Sequence, residues 1–331
     1  MIYEHTYDIV LENVFLYLRG IVENLHVYLK IEGLNPAGSI KLKAALSMVE
    51  DAERKGILRP GGSLVESSSG SLGIALALVS AAKGYKFLCV TDPNTSRQSL
   101  DIMRALGAQV VQVDWLDANG GYLGSRISYI EDCLAADPGL VWLNQYANPM
   151  NWLVHERCTA AAIAANIPGA DFLFVGTGTA GTLMGCARHF RELCPATKII
   201  AVDAAGSVSF GAPAGPRFIP GIGASRRPQF FCPDLVDEMV LVPEADTVRT
   251  CRWLARRHGL FAGGSTGSVV FAILQYAPKL PAGSRVVGIS PDFGDRYART
   301  IYDDDWAAER FGRDCLAESP LDPAVSSTAR R

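Results

Sequence analysis

Lys41 follows the turn Asn35-Pro36-Ala37-Gly38-Ser39 and opens a stretch in which Ala44, Ala45, Met48, Val49 and Ala52 recur with helical spacing. Ser39 is a candidate N-cap and Gly56 a candidate stop, so the lysine falls in the first helical turn. The positive end of the helix dipole, with Lys43 close by, disfavours an ammonium there and favours the neutral amine, the form that attacks an aldehyde. Three loops would complete such a site. Gly176-Thr177-Gly178-Thr179-Ala180-Gly181-Thr182 follows an apolar strand and opens a helix whose free N–H groups suit an anion. Ser67-Ser68-Ser69-Gly70-Ser71 also stands between a strand and a helix, where hydroxyls and N–H groups converge on a carboxylate. Gly263-Gly264-Ser265-Thr266 precedes another apolar helix and would set the Ser265 hydroxyl against a ring nitrogen. A hydroxyl leaves a pyridine nitrogen largely unprotonated, and that weaker electron sink favours elimination over transamination. Lysine, anion loop and hydroxyl together point to pyridoxal phosphate as the cofactor.

Each loop has a plainer reading as a helix cap or tight turn, and one has a competing chemistry. Gly176, Gly178 and Gly181 spell a dinucleotide fingerprint, and Asp203 ends the next strand at the distance expected of a ribose-binding acid. On that unit alone a nucleotide-dependent oxidoreductase is the favoured reading. The threonines between the glycines tilt the composition toward a compact terminal monophosphate, because their hydroxyls add donors that a bridging pyrophosphate does not need.

The elements that must position these loops alternate along the chain. Strands over 64–66, 87–90, 109–113, 141–143, 172–175 and 199–202 are separated by helices over 74–83, 96–106, 152–165 and from the glycine loop to about Leu193. This predicts an α/β fold of mostly parallel sheets flanked by helices. The chain has 331 residues, a formal net charge of −3 and 49% hydrophobic residues, enough for two domains with sizeable cores. The turn signal at Asn148-Pro149 sets the boundary: an N-terminal domain over 1–150 with the lysine and substrate loop, part of 1–34 packing on the other domain, and a C-terminal domain over 151–317 with the phosphate loop. Residues 318–331, small, polar and proline-containing, read as a loose tail. No basic run suggests nucleic acid, and no stretch reads as a signal peptide or membrane span, so a cytoplasmic location is expected. The eight cysteines lack the paired spacing of a zinc or disulfide site and read as reduced packing residues; no metal is expected.

Lys41 in its Asn-Pro-Ala-Gly-Ser-Ile-Lys turn, the Ser-Ser-Gly loop, Asn144-Gln145-Tyr146, the Gly-Thr-Gly-Thr-Ala-Gly-Thr loop, Gly221-Ile222-Gly223 and Gly263-Gly264-Ser265 occur in one order. That order resembles the cysteine synthase and cystathionine β-synthase family of fold-type II pyridoxal phosphate enzymes, related to the tryptophan synthase β fold, over about Ile31 to Tyr297. The resemblance implies Lys41 as Schiff-base lysine and Gly178, Thr179, Ala180, Gly181 and Thr182 around the cofactor phosphate. It implies Ser265 on the pyridine nitrogen, and Ser68, Ser69, Gly70 and Gln145 on the substrate carboxylate. The Gly121-Tyr122-Leu123 segment with Arg126, the Pro220–Arg226 segment and Pro291-Asp292 with Gly294–Tyr297 look most like a branch that joins O-phospho-L-serine to L-glutamate. By that likeness a bound aminoacrylate is the intermediate, Arg126 receives the leaving phosphate, Gly223 and Arg226 face substrate, and a homodimer is implied. Competing expectations are sulfide or another small amine as nucleophile, and a non-catalytic relative. The last is motivated by Ser71, which stands where the family has an asparagine beside the cofactor 3-hydroxyl, and by Glu12–Leu16, which lacks the family's Thr-Pro turn.

Overall fold

The computed structural model describes residues 2–117 and 121–321; most of the tail expected over 318–331 lies outside them. Two sheets organise the chain. The smaller holds β3 (Ser63–Ser67), β4 (Lys86–Thr91), β5 (Gln109–Gln112) and β6 (Leu140–Trp142), all parallel, in the order β5-β4-β3-β6. The larger begins with a hairpin, β1 (Phe15–Tyr17) against β2 (His26–Ile31), and continues in parallel through β10 (Arg285–Ser290), β7 (Phe172–Gly176), β8 (Lys198–Ala204) and β9 (Glu238–Val242). The first two strands of the chain therefore lie in the sheet built from the last ones.

Helices cover both sheets because the crossovers between parallel strands place them there. Around the small sheet stand α1 (Lys41–Arg54), α2 (Ser71–Lys83), α3 (Arg97–Ala105) and α4 (Leu123–Ala136). The unbroken apolar run of α2, Leu72 to Val79, is buried on every side and packs with Met48, Val49 and Leu64 into one core. The large sheet is sandwiched between two cores. One contains Phe174, Val269 and Val286, the other Leu173, Leu183 and Val287, so neighbouring residues of β7 and β10 point into opposite layers. Its helices include α5 (Met150–Val154), α6 (Ala161–Asn166), α7 (Gly181–Leu193), α8 (Glu244–His258) and α9 (Gly264–Tyr276), with α10 (Asp304–Phe311) closing the described chain. All eight cysteines are unpaired, and Cys89, Cys186, Cys251 and Cys315 are buried packing groups. Among the described residues no helix is long and apolar enough to cross a membrane.

The continuous helix expected over 152–165 is instead α5 and α6 joined by a wider π-type turn, His155–Ala160. Helical spacing of apolar residues does not reveal such a turn; tertiary packing does. Gly185 of α7 lies against it so closely that a Cβ there would stand 2.7 Å from the Glu156 backbone nitrogen and 2.7 Å from the His155 Cβ. Because α7 begins at the 176–182 loop, this contact fixes where that loop points. Gly185→Ala is expected to cost about 1–3 kcal/mol through overpacking; urea unfolding should show a lower midpoint with unchanged slope, and an unaltered midpoint would contradict this close packing.

Candidate active site

The turn before α1 is shaped by one side chain. Asn35 donates from Nδ2 to the carbonyls of Glu32 and Ser39, 2.9 Å each, and accepts from the Ala37 backbone at 3.0 Å. Ile40 N–H donates to Pro291 O at 2.8 Å and Ser39 pairs with Asp292, so the turn is anchored to the end of β10. Helix α1 starts at Lys41 with Ile40 at its N-cap, one residue later than expected; Ser39 Oγ still accepts from Lys41 N–H at 3.4 Å.

Lys41 lines a cavity that it shares with Gly178, Thr179, Ala180, Gly181, Thr182, Gly221, Ser265 and Pro291. Seven of the eight expected cofactor residues, the expected catalytic Lys41 among them, thus face one space, and Ser71 is the member that does not line it. The amine is held below the usual lysine range by burial, which Asp292 opposes. The expected help from Lys43 is corrected by the structure. Lys43 spends its charge elsewhere: its Nζ reaches Glu12 Oε2 at 2.6 Å, Glu32 at 2.8 Å and Thr159 Oγ1 at 3.1 Å. Lys30, fully buried on β2, joins the same carboxylates, 2.8 Å from Glu32. With the charges of Lys30 and Lys43 set against two glutamates, exclusion of water is the main influence that lowers the Lys41 pKa.

This cluster also fixes a histidine. Thr159 Oγ1 accepts from Lys43 Nζ at 3.1 Å and shares a hydrogen bond with His155 Nδ1, 3.0 Å away, while His155 Nε2 is buried without a partner. Burial keeps it neutral, its pKa well below the usual histidine range, with Lys43, Lys41 and Lys30 acting in the same direction.

The anion end of the cavity is built from backbone. α7 has no side-chain cap, leaving its first N–H groups free, and Ala180 at the N-cap takes a left-handed conformation (φ 62°). A Cβ on Gly178 would meet Gly221 O at 2.9 Å, and one on Gly181 would meet Asn151 Cγ at 2.8 Å, so the loop is closed in from behind and open only toward the cavity. Thr179 Oγ1 is held by Asn151 Nδ2 at 3.1 Å. At the other end α9 also lacks a side-chain cap, and Ser265 Oγ lies within 4.0 Å of the point a Gly221 Cβ would occupy. A neutral lysine, an uncapped helix start and a lone hydroxyl on one cavity are a donor set that fits pyridoxal phosphate.

The expected substrate residues lie on the neighbouring loop and at the cleft rather than on the cavity wall. Ser68 is buried with its Oγ accepting from Gly73 N–H at 2.9 Å and Gly70 N–H at 3.3 Å, so it caps α2 and keeps only its proton to offer. Ser69 and Gly70 are half-buried beside it. Gln145 donates from Nε2 to Ser67 O at 2.7 Å. Glu66 ties the two segments together by accepting from Ser67 N–H, Trp142 Nε1 and Gln145 N–H; burial pushes its carboxyl up to about 7. Ser71 Oγ accepts from Arg296 Nη1 at 2.9 Å, and Arg296 Nη2 also donates to Ala37 O. Arg126, expected to face phosphate, is buried behind this loop and ion-paired through Nε to Asp92 Oδ2 at 3.4 Å, without a hydrogen bond at that atom. Gly223 donates its N–H to Thr177 O at 2.7 Å, and Arg226 is exposed. Asp203 is fully buried, its Oδ1 accepting from Ala204 N–H, so it is not an exposed ribose-binding acid.

The sequence reading missed Asp292 as a participant. Its side chain is buried, Oδ2 accepts from Tyr297 OH at 2.9 Å, and Oδ1 has no partner. The only available signal was an acid two residues after a buried strand, a pattern shared by many loops.

A sequence model described as pyridoxal-phosphate dependent enzyme matches residues 14–292. The chain is 45% identical over 299 residues to an N-(2-amino-2-carboxyethyl)-L-glutamate synthase of Ralstonia nicotianae, covering 89% of this chain and 88% of the relative. It is 42% identical over 305 residues to a protein of the same name from Cupriavidus metallidurans, covering 91% and 89%. Among solved structures, O-ureido-L-serine synthase superposes with a TM-score of 0.85 at 32% identity over 99% of this chain and 100% of the other. The chain belongs to the pyridoxal-phosphate dependent enzyme family, with the fold-type II architecture, and its cofactor is pyridoxal phosphate. The nucleotide-dependent alternative is set aside.

Asp292 is the carboxylate that favours the ammonium form of Lys41. In the cofactor-free protein, Asp292→Asn should therefore move the pH profile of Lys41 acylation to lower pH; a shift to higher pH would contradict the assignment.

Proposed function

We propose that this enzyme carries out β-replacement on O-phospho-L-serine with L-glutamate as nucleophile, giving N-(2-amino-2-carboxyethyl)-L-glutamate and inorganic phosphate. The observation that carries the reading is the 45% identity, over most of both chains, to a relative bearing that product's name. Arg126 supports it: a buried guanidinium, held through Nε by the Asp92 carboxylate at 3.4 Å, lies behind the substrate loop, where a dianionic leaving group would draw a cation. In the overall reaction the Cβ–O bond breaks with its electron pair leaving on phosphate, a Cβ–N bond forms, and the glutamate nitrogen gives up a proton.

The cofactor supplies an electron sink conjugated to the substrate Cα. Lys41 would hold it and, once freed, would take the Cα proton as an amine whose pKa burial lowers. Gly178, Thr179, Ala180, Gly181 and Thr182 hold its phosphate through N–H groups and hydroxyls, and Ser265 meets its ring nitrogen. Ser68, Ser69, Gly70 and Gln145 hold the substrate carboxylate, Glu66 having fixed the spacing between their two segments. Gly223 and Arg226 stand on the substrate side. In this reading the small-sheet unit and the large-sheet unit, the latter including β1 and β2, act as two domains that close to exclude water, which would otherwise divert the reaction to pyruvate. The same reading makes the enzyme a cytoplasmic homodimer that supplies 2,3-diaminopropionate precursors for siderophore biosynthesis.

Offering O-phospho-L-serine or O-acetyl-L-serine with glutamate or sulfide tests this directly. The expected result is stoichiometric phosphate and the glutamate adduct from O-phospho-L-serine. Arg126→Lys should lower kcat/KM for that ester by about tenfold or more, with the acetyl ester affected less. Product with sulfide alone would overturn the assignment.

A further inference from the structure

Arg217 lies in the segment between β8 and β9, and its Nη2 donates to Ser225 Oγ at 2.7 Å. The side chain runs directly over Gly223: a Cβ there would stand 3.0 Å from Arg217 Cδ, and Gly223 has φ 81°, so glycine is required for the guanidinium to occupy this place. Gly223 is stitched to Thr177 O, and Gly221, two residues away, lines the cavity of Lys41. Arg217 is thereby held at a fixed position beside the reaction site.

Its hydrogen-bond donors are not all spent. Arg217 is half-buried, its Nε is buried without a partner, and no ion pair joins it to a carboxylate among the described residues. Of the two nearby acids, Asp203 attracts the guanidinium without bonding to it, its Oδ2 having no partner. Glu244 gives both oxygens to the N–H groups of Phe218 and Ile219, and Asp203 accepts from Ala204 N–H. A partly desolvated guanidinium with free donors is costly unless something anionic completes it.

The location identifies that anion. Ser225 Oγ lies 3.8 Å from the point a Gly121 Cβ would occupy, so the Arg217–Ser225 pair faces the segment that opens α4, the helix carrying Arg126. Asp117 shapes that segment by accepting from Gly121 N–H at 3.0 Å and Gly124 N–H at 2.8 Å. The cleft therefore has a cation on each side, and the reaction brings two anionic partners. Arg126 stands behind the loop that takes the amino-acid ester, so the leaving phosphate falls to it. Arg217, on the opposite wall, is left for the second substrate, and its planar fork suits a carboxylate.

We infer that Arg217, together with Ser225 Oγ, receives a carboxylate of the incoming amine substrate and so selects an amino diacid as nucleophile. This rests on the β-replacement reading above and names the determinant of its second substrate. Arg226, the arginine expected there from sequence, is exposed and serves the cleft rim.

The test compares wild-type, Arg217→Lys and Arg217→Gln holoenzymes. For Arg217→Gln the KM for L-glutamate should rise roughly 10- to 100-fold, the loss expected of one charge-assisted contact. Its kcat at saturating glutamate should fall far less, and phosphate release from O-phospho-L-serine without glutamate should persist. Arg217→Lys, which keeps the charge without the fork, should fall between. Calorimetric binding of glutarate, a diacid with no amine, should weaken by a similar factor. The inference is overturned if KM rises for O-phospho-L-serine and not for glutamate, if cofactor affinity and both half-reactions fall together, or if glutarate binding is unchanged. Failure of the underlying reading looks different: the wild-type protein would release no phosphate from O-phospho-L-serine, and the glutarate measurement would still decide the role of Arg217.

Discussion

The arrangement depends on keeping one lysine amine out of water in a cavity, where its ammonium form is disfavoured. A lone buried ammonium is expensive, and a protein usually resolves that expense by pairing the charge or by removing the proton. Here both solutions appear within three residues of α1. Lys43 is paired, with Lys30, against Glu12 and Glu32, whereas Lys41 is left to desolvation. Asp292 opposes that shift, so the amine is balanced between a dry surrounding and a single acid. The acid is placed by the fold: the Asn35 turn is bonded to the end of β10, where Asp292 sits.

The rest of the site follows from where parallel strands end. β7 delivers the glycine loop to the uncapped start of α7, β3 delivers the serine loop to α2, and β10 delivers Pro291 and Asp292 to the lysine turn. Strand ends that carry their loops to one side of a parallel sheet make a common crevice, the place where α/β folds bind ligands. The two sheets contribute different chemistry. The larger supplies the phosphate loop, Ser265 and Arg217; the smaller supplies the serine loop, Gln145 and Arg126. Substrate must therefore be gripped from both sides, and the anionic groups of two reactants can be sorted between opposing cations.

Much of this was legible in the sequence because the loops carry strong local signals. Glycine-rich turns between an apolar strand and an apolar helix survive any reasonable error in element boundaries, and the strands from β3 to β8 fell where their apolar runs predict. Residues set by tertiary contact were not legible. The π-type turn at His155–Ala160 exists because α7 presses Gly185 against it. Lys43 looked like a source of repulsion because its partners, Glu12, Glu32 and Thr159, lie as many as 116 residues away. Arg217 carried no motif at all; its proposed importance comes from Gly223 making room for it and from its buried Nε having no partner. Ser71 read as a loss relative to the family asparagine, and its bond to Arg296 is visible only in three dimensions.

The central claim is that the amine of Lys41 is the covalent anchor of the cofactor. Reducing the pyridoxal phosphate-loaded protein with borohydride, digesting it and sequencing the labelled peptide by mass spectrometry tests this without assuming a substrate. The account predicts a single phosphopyridoxyl group on Lys41, lost in Lys41→Ala. A label on another lysine, or a loaded protein that yields no labelled peptide, would contradict it.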